Sequence, residues 1–309
     1  MLHPRVFAKS LSLALAPAAG LLLGLGGILN AAASDLVAPG AKLQKISSAF
    51  SFTEGPSSDA AGNVYFTDQP NDRIVKWSPD GTFTDWLKPA GRSNGTKFDH
   101  HGNLLTCADE KNELWSISPT KEVTVLVKDF GGKALNGPND VWVRPDGNIY
   151  FTDPLYPRDY WTVRGPAMQQ PGQYVYYLER KTGHLTPVAT DLNQPNGIVG
   201  TPDGKTLYVA DIGANKTYSY QIQADGSLTE KHLFCKLGSD GMTRDERGNI
   251  YLTGHGVTVF DPTGKKIEHI DVNEPWTANI TFGGADHKTL FITASKSVYT
   301  IQMNVRGAF

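Results

Sequence analysis

The chain has 309 residues, with 29 Lys and Arg against 31 Asp and Glu, a formal net charge of −2 and a pI near 6.4. That balance, with no long basic run, excludes nucleic acid as an expected partner. The length allows a large core in one or two domains, and 32 Gly and 19 Pro scattered among short aromatic and β-branched runs point to many short strands joined by turns.

The first element in chain order is a leader. Arg5 and Lys9 precede an apolar stretch from Leu11 to Leu29, and Ala31-Ala32-Ala33 follows. A charged start, an apolar middle and a small-residue exit predict a secretory signal peptide over residues 1–33. The exported chain, periplasmic or secreted, would begin near Ser34. The apolar run approaches a membrane span in length, so an uncleaved anchor is the alternative. No second membrane segment is evident, and none is expected to hold the chain to a membrane after cleavage.

From residue 62 onward one hairpin recurs six times. GNVYFTD at Gly62–Asp68 is echoed from Gly102, Gly147, Gly204, Gly248 and His287, and successive turns lie 40, 45, 57, 44 and 39 residues apart. A period in the forties with several strands per unit predicts a propeller, one blade per repeat. Each hairpin is followed by two more strand candidates, such as Arg73–Trp77 with Thr82–Trp86, and Tyr174–Tyr177 with Leu185–Val188. The expected fold is therefore all-β: a six-bladed propeller with four antiparallel strands, A to D, in each blade. The sixth repeat ends at its third strand, Ser297–Gln302, and Lys42–Ile46 supplies the fourth. That closure pairs an otherwise open edge and makes residues 34–309 a single domain.

The fourth hairpin contains Gly-Thr-Pro-Asp-Gly-Lys-Thr, which superficially looks like a phosphate-binding loop. The glycine spacing is wrong, and the following Thr-Leu-Tyr-Val-Ala is a strand where such a loop needs a helix. Pro202-Asp203-Gly204 is instead expected to turn a hairpin. The longest spacing contains a Pro- and aromatic-rich insertion, residues 154–172, without strand alternation. A loop of that length inside a repeat is functional or disordered.

Eight residues before each turn stands an oxygen-bearing side chain: Glu54, Asn94, Asn139, Asn196, Asp240 and Asn279. In a propeller these positions open the innermost strands, so they form one ring at one mouth of the channel. Carboxylates converging there repel unless a cation intervenes, and Glu54 and Asp240 together carry the charge that matches a divalent ion. Oxygen-only donors suit Ca²⁺ best, with Mg²⁺, Mn²⁺ or Zn²⁺ as alternatives; the lack of His or Cys on the ring disfavours a structural zinc site. Each such Asn or Asp taken singly is more often a turn cap. Glu54 is not a favoured turn residue, and it and the ring as a whole carry the argument.

Strand B returns to the same mouth, ending at Asp68, Asp109, Asp153 and Asp211, which are expected to cap the B-to-C turns. The B-to-C loops overhang the ring. They bring Tyr156, Arg158 and Trp161 of the insertion and His255, while a D-to-A loop brings Trp276. Such loops serve as a lid or specificity wall. Tyr156, His255, Trp276, Asn94 and Asn279 are the candidate substrate contacts. The two cysteines, Cys107 and Cys235, fall in separate repeats and are expected to be free thiols, with a disulfide between them in the exported chain as the alternative.

Thr53-Glu54-Gly55-Pro56, Pro138-Asn139-Asp140, Phe151-Thr152-Asp153-Pro154, Pro195-Asn196-Gly197, Ser239-Asp240-Gly241 and the closing segment 282–294 together resemble the SMP-30/gluconolactonase family. The resemblance covers about residues 42–303. It implies a six-bladed propeller, a divalent metal in the channel and, commonly, hydrolysis of sugar lactones. It places metal ligands at Glu54, Asn139, Asn196 and Asp240, and supporting or substrate contacts at Asn94 and Asn279. Some members carry an arginine two residues before Asn139, where Gly137 stands here. The expected activity is metal-dependent hydrolysis of a small-molecule lactone, such as gluconolactone, with Asp240 as the candidate base. The alternatives are a phosphotriester or other ester hydrolase in the same site, since related propellers use a similar ring, and a non-catalytic exported ligand-binding propeller.

Overall fold

The computed structural model describes residues 35–308, so the expected leader lies outside the described residues. Among those described, no helix is long and apolar enough to cross a membrane. The described residues belong to one compact unit.

The sequence period becomes six four-stranded antiparallel sheets, the blades of a six-bladed β-propeller. In blade one the strands are Thr53–Ser58, Val64–Asp68, Arg73–Trp77 and Phe83–Leu87, running from the channel outward. The innermost strands of the next five blades are Thr96–Phe98, Val141–Val143, Pro195–Gly200, Met242–Arg244 and Thr277–Gly283. Each second strand, such as Val64–Asp68 or Ile149–Asp153, is buried along all or all but the first residue of its length. It lies between two neighbouring blades, which is why its sequence is a continuous apolar run instead of an alternating one. Outermost strands read differently: Val123 and Val125 of Val123–Val127 are about two-fifths exposed.

The turn at Pro202-Asp203-Gly204 joins Pro195–Gly200 to Thr206–Asp211. The Gly204 amide donates to Thr201 O at 2.8 Å, the Thr201 amide donates to Thr206 O at 2.9 Å, and Gly204 has a φ of +69°. This is a hairpin with its left-handed residue filled by glycine.

The last blade is completed by Gln44–Ser47, which pairs antiparallel with Ser297–Gln302. Lys45 adds an ion pair to Glu274 at 2.8 Å, and Glu274 also accepts from Ser297 and Tyr299. A second tie lies alongside: Val37 bridges Met303, and the Asn304 amide donates to Leu36 O at 2.8 Å. The seam between blades six and one is aromatic. Phe291 packs 5.5 Å from Phe66 and 5.3 Å from Trp77, and Phe66 and Phe291 are fully buried. Cys107 and Cys235 are both buried and free.

Candidate active site

The inner strands enter the channel in a shared way. In four blades the ring residue is followed by glycine. A side chain on Gly95 would sit 2.5 Å from Asn139 O, and one on Gly197 would sit 2.5 Å from Asp240 O; Gly55 and Gly241 likewise leave no room against Asn94 and Asn279. Each glycine thus lets the next blade's ring residue approach the axis. Threonines of the second strands hold the same positions from behind. Thr67 Oγ1 donates to Asn94 O at 3.1 Å and Thr152 Oγ1 to Asn196 O at 2.8 Å, each crossing to the next blade. The hairpin repeat displays these threonines, but their partners lie a blade away and no local spacing reveals them.

The six ring positions gather as follows. Asn279 Nδ2 donates to Glu54 Oε2 at 3.1 Å, and Asn196 Nδ2 donates to Asp240 Oδ1 at 2.8 Å. Glu54 and Asp240 act directly on each other across the ring. Asn94, Asn139, Asn196, Asn279 and Glu54 are all buried, while Asp240 is half-buried. The Asn139 backbone is tied on both sides, its amide to Thr152 O and its carbonyl to the Gly95 amide.

Burial pushes the Glu54 carboxyl well above the usual carboxylate range, and the Asp240 charge pushes it further. Burial also raises Asp240, against hydrogen bonds from Trp276 and Asn196 and the positive charge of Arg158. Two acids facing each other in this way favour a cation between them. Two ring amide oxygens also await a ligand: Asn196 Oδ1, beside the carboxylates, and Asn94 Oδ1 are buried without a hydrogen-bond partner. Orphaned carbonyl oxygens beside two carboxylates form a donor set that suits a hard divalent ion. Among the described residues no cluster of three or more His, Cys, Asp or Glu stands in metal-binding reach. The ring offers two carboxylates and otherwise amides.

Over the ring, Trp276 Nε1 donates to Asp240 Oδ2 at 2.6 Å, and the Tyr156 hydroxyl accepts from Asn196 Nδ2 at 2.9 Å. His255 makes no such link. It is exposed and packs edge-on against Trp276, ring centres 5.4 Å apart. A cavity of about 290 Å³ opens beside these two residues. A larger one, about 890 Å³, runs along the channel on the far side, past Lys97, Asp140 and Asn279 to the A-to-B turns around His100 and His287. Its size does not make it the reaction site, because it lies away from the Asp240 carboxylate and the loops over it. Asp140 lines this cavity, and burial lifts its carboxyl to about 7.

The strand-B aspartates differ from expectation. Besides any bond to the B-to-C turn, three of them hold the D-to-A segment just ahead of the ring residue. Asp153 accepts the amides of Asn136 and Gly137 at 2.9 and 2.8 Å, and Asp211 those of Asn193 and Gln194 at 2.9 Å each. Asp68 accepts from Ser51 and Phe52 in the same way. Two converging amides two and three residues before the ring position form a nest that a carboxylate fills. Asp211 also caps its turn through the Ala214 amide, and Asp68 ties its own by accepting from Asn71 Nδ2 and from Arg73. Asp109 is the exception: it faces the insertion.

The insertion crosses from blade three over blades two and one. Trp161 Nε1 donates to Asp109 at 3.3 Å, Thr162 donates twice to Glu110, and the Tyr160 hydroxyl donates to Gln69 at 3.1 Å. Arg164 stacks 3.9 Å over Trp161 and donates to the carbonyls of Asp109 and Asn136. The segment is thus a pinned wall at the mouth.

A six-bladed propeller with an acid-and-amide ring under one set of loops defines a class of channel-mouth binding and hydrolytic sites. Residues 52–296 match the family model described as SMP-30/Gluconolactonase/LRE-like region, and the chain belongs to that family. It is similar to a gluconolactonase of Zymomonas mobilis, 26% identical over 294 residues, covering 86% of this chain and 82% of the relative. Among solved structures it is similar to a putative gluconolactonase (TM-score 0.83, 32% identity, 89% of this chain and 96% of that one). It is also similar to a gluconolactonase of Xanthomonas campestris (TM-score 0.80, 27% identity, 87% and 91%).

Proposed function

We propose that this protein hydrolyses a lactone, with sugar (aldono) lactones such as gluconolactone as the substrate class, at a ring that holds a divalent cation. The observation that carries the proposal is the facing pair Glu54 and Asp240 beside the unpartnered buried oxygens of Asn94 and Asn196. The lactonase names of its relatives support the reaction type. Glu54, Asn139, Asn196 and Asp240 would hold the ion, and all-oxygen donors make Ca²⁺ the proposed one. Bound there, such an ion supplies positive charge for the oxygen of a lactone carbonyl.

The chain's own residues do the rest. Trp276 and Asn196 fix the Asp240 carboxylate from two sides, so its remaining lone pairs face a defined direction. Asp240 takes a proton from the attacking water as the new C–O bond forms at the carbonyl carbon. It returns that proton to the ring oxygen as the ester bond breaks. Asn94 and Asn279 orient substrate hydroxyls from the ring, and Tyr156 and Trp276 wall the mouth.

Export belongs to the proposal: residues 1–33 direct secretion, and N-terminal sequencing of the exported protein would begin near Ser34. The test of the reaction is a panel of neutral lactones and aryl esters, assayed after chelator treatment and with each divalent metal restored in turn. Lactone turnover that is lost on chelation and returns with metal supports the proposal. A folded, metal-replete protein inert toward the panel overturns it in favour of a binding propeller.

A further inference from the structure

The insertion places one guanidinium over the ring without committing it. Three other arginines at this end of the molecule have acidic partners: Arg73 pairs with Asp68 at 2.9 Å, Arg92 with Glu110 at 3.1 Å and Arg164 with Asp109 at 3.6 Å. Arg158 makes no hydrogen bond or ion pair with any described residue, and its Nε is buried without a partner. Its guanidinium lies 5.3 Å over the Tyr156 ring. Tyr156 in turn touches the ring through Asn196. The Arg158 charge is felt at Asp240 on one side and at Asp109 and Tyr160 on the other. Asp109 is already engaged by Arg164 and Trp161.

We propose that Arg158 is a specificity-determining residue that selects lactones carrying an anionic substituent, a carboxylate or phosphate on the sugar away from the reacting carbonyl. The inference rests on the lactonase reading and deepens it. The buried Arg158 Nε–H has no acceptor until a ligand brings one, and a planar fork of N–H groups matches a two-oxygen anion. A neutral lactone leaves those donors unmet when it fills the mouth. An anionic one satisfies them and is drawn in by the positive charge. The cation–π contact with Tyr156 favours the fork's position, which reduces the side-chain freedom lost on binding.

The test compares D-glucono-1,5-lactone with its 6-phosphate and with the counterpart bearing a 6-carboxylate, on wild type, Arg158→Gln and Arg158→Lys. The readout is the ratio of kcat/KM for each anionic lactone to that for the neutral one. Removing a charge-assisted contact is expected to lower that ratio roughly 10- to 100-fold in Arg158→Gln, with Arg158→Lys between. The two anionic arms show which group is read, and either supports the proposal. A ratio unchanged in Arg158→Gln, or all three lactones falling in parallel, overturns it. Calorimetric binding of 6-phosphogluconate against gluconate provides a readout independent of turnover. Should the protein hydrolyse no lactone, selective 6-phosphogluconate binding that disappears in Arg158→Gln would sustain the anion site while the lactonase reading fell. Equal binding of both ligands would overturn the anion site.

Discussion

Trp276 and Asp240 come from neighbouring blades, yet the indole N–H meets Oδ2 of the carboxylate at 2.6 Å. The contact fixes the acid that the proposed reaction uses, and it does so from a loop that the hairpin repeat does not encode. Trp276→Phe keeps the aromatic wall and removes the donor. A hydrogen bond to a charged group is worth about 1.5–3 kcal/mol. Lactone kcat/KM is expected to fall roughly 10-fold or more, with the melting temperature little changed. Steady-state kinetics beside a thermal melt would check this, and wild-type kinetics in the variant would remove the indole from the mechanism.

Asp240→Asn replaces one of two facing acids with its neutral shape. Burial and Glu54 both bear on Asp240, and its charged form is disfavoured in the empty ring. In chelator at pH 8 the variant is therefore expected to melt at or above the wild-type temperature. Added Ca²⁺ should raise the wild-type melting temperature, as a ligand of the folded state does, and leave the variant nearly unmoved. Turnover should be abolished. A variant that melts far lower in chelator would show that Asp240 is a structural anchor.

Asp109 pins the insertion, and burial lifts its carboxyl to about 6, against the charges of Arg158 and Arg164 and the Trp161 hydrogen bond. A raised carboxyl pKa means the folded state binds the proton more tightly than the unfolded chain. The stability it contributes is present in full below the unfolded value near 4 and is lost as pH rises through about 6. The stability of wild type minus that of Asp109→Asn should therefore fall between pH 4.5 and 7.5, by about 3 kcal/mol at most. Denaturant unfolding across that range measures it, and a wild-type stability that rises with pH relative to the variant would contradict the assignment.

The closing seam predicts a stability effect without chemistry. Phe291 is fully buried between Phe66 and Trp77 where the last blade meets the first. Phe291→Ala should cost about 3–5 kcal/mol through lost burial and the cavity left behind. Urea unfolding would read this directly, and a cost under about 1 kcal/mol would mean the seam repacks.

The period of the hairpins made the propeller legible, because each copy carries its own turn glycine and apolar second strand. The ring was legible for the same reason: Glu54, Asn94, Asn139, Asn196, Asp240 and Asn279 share one offset from the turn. What stayed hidden is contact between non-equivalent segments. The threonines that cross to the next blade, the route of residues 154–172 onto Asp109 and Glu110, and the Trp276–Asp240 bond depend on how blades are set side by side. Asp68, Asp153 and Asp211 show the limit most clearly. Their place in the repeat suggested the turn that follows, which Asp68 and Asp211 do bind, but not the amides of the strand entry some 16 to 18 residues earlier that all three also hold.

The central claim is that distant acid and amide side chains meet around one cation. Anomalous diffraction from crystals soaked in Mn²⁺, a stand-in for the physiological ion, tests it most directly. The account predicts a single strong peak on the channel axis within ligand distance of Glu54, Asn139, Asn196 and Asp240, lost in Asp240→Asn. A featureless ring, or a peak bound elsewhere on the molecule, would contradict it.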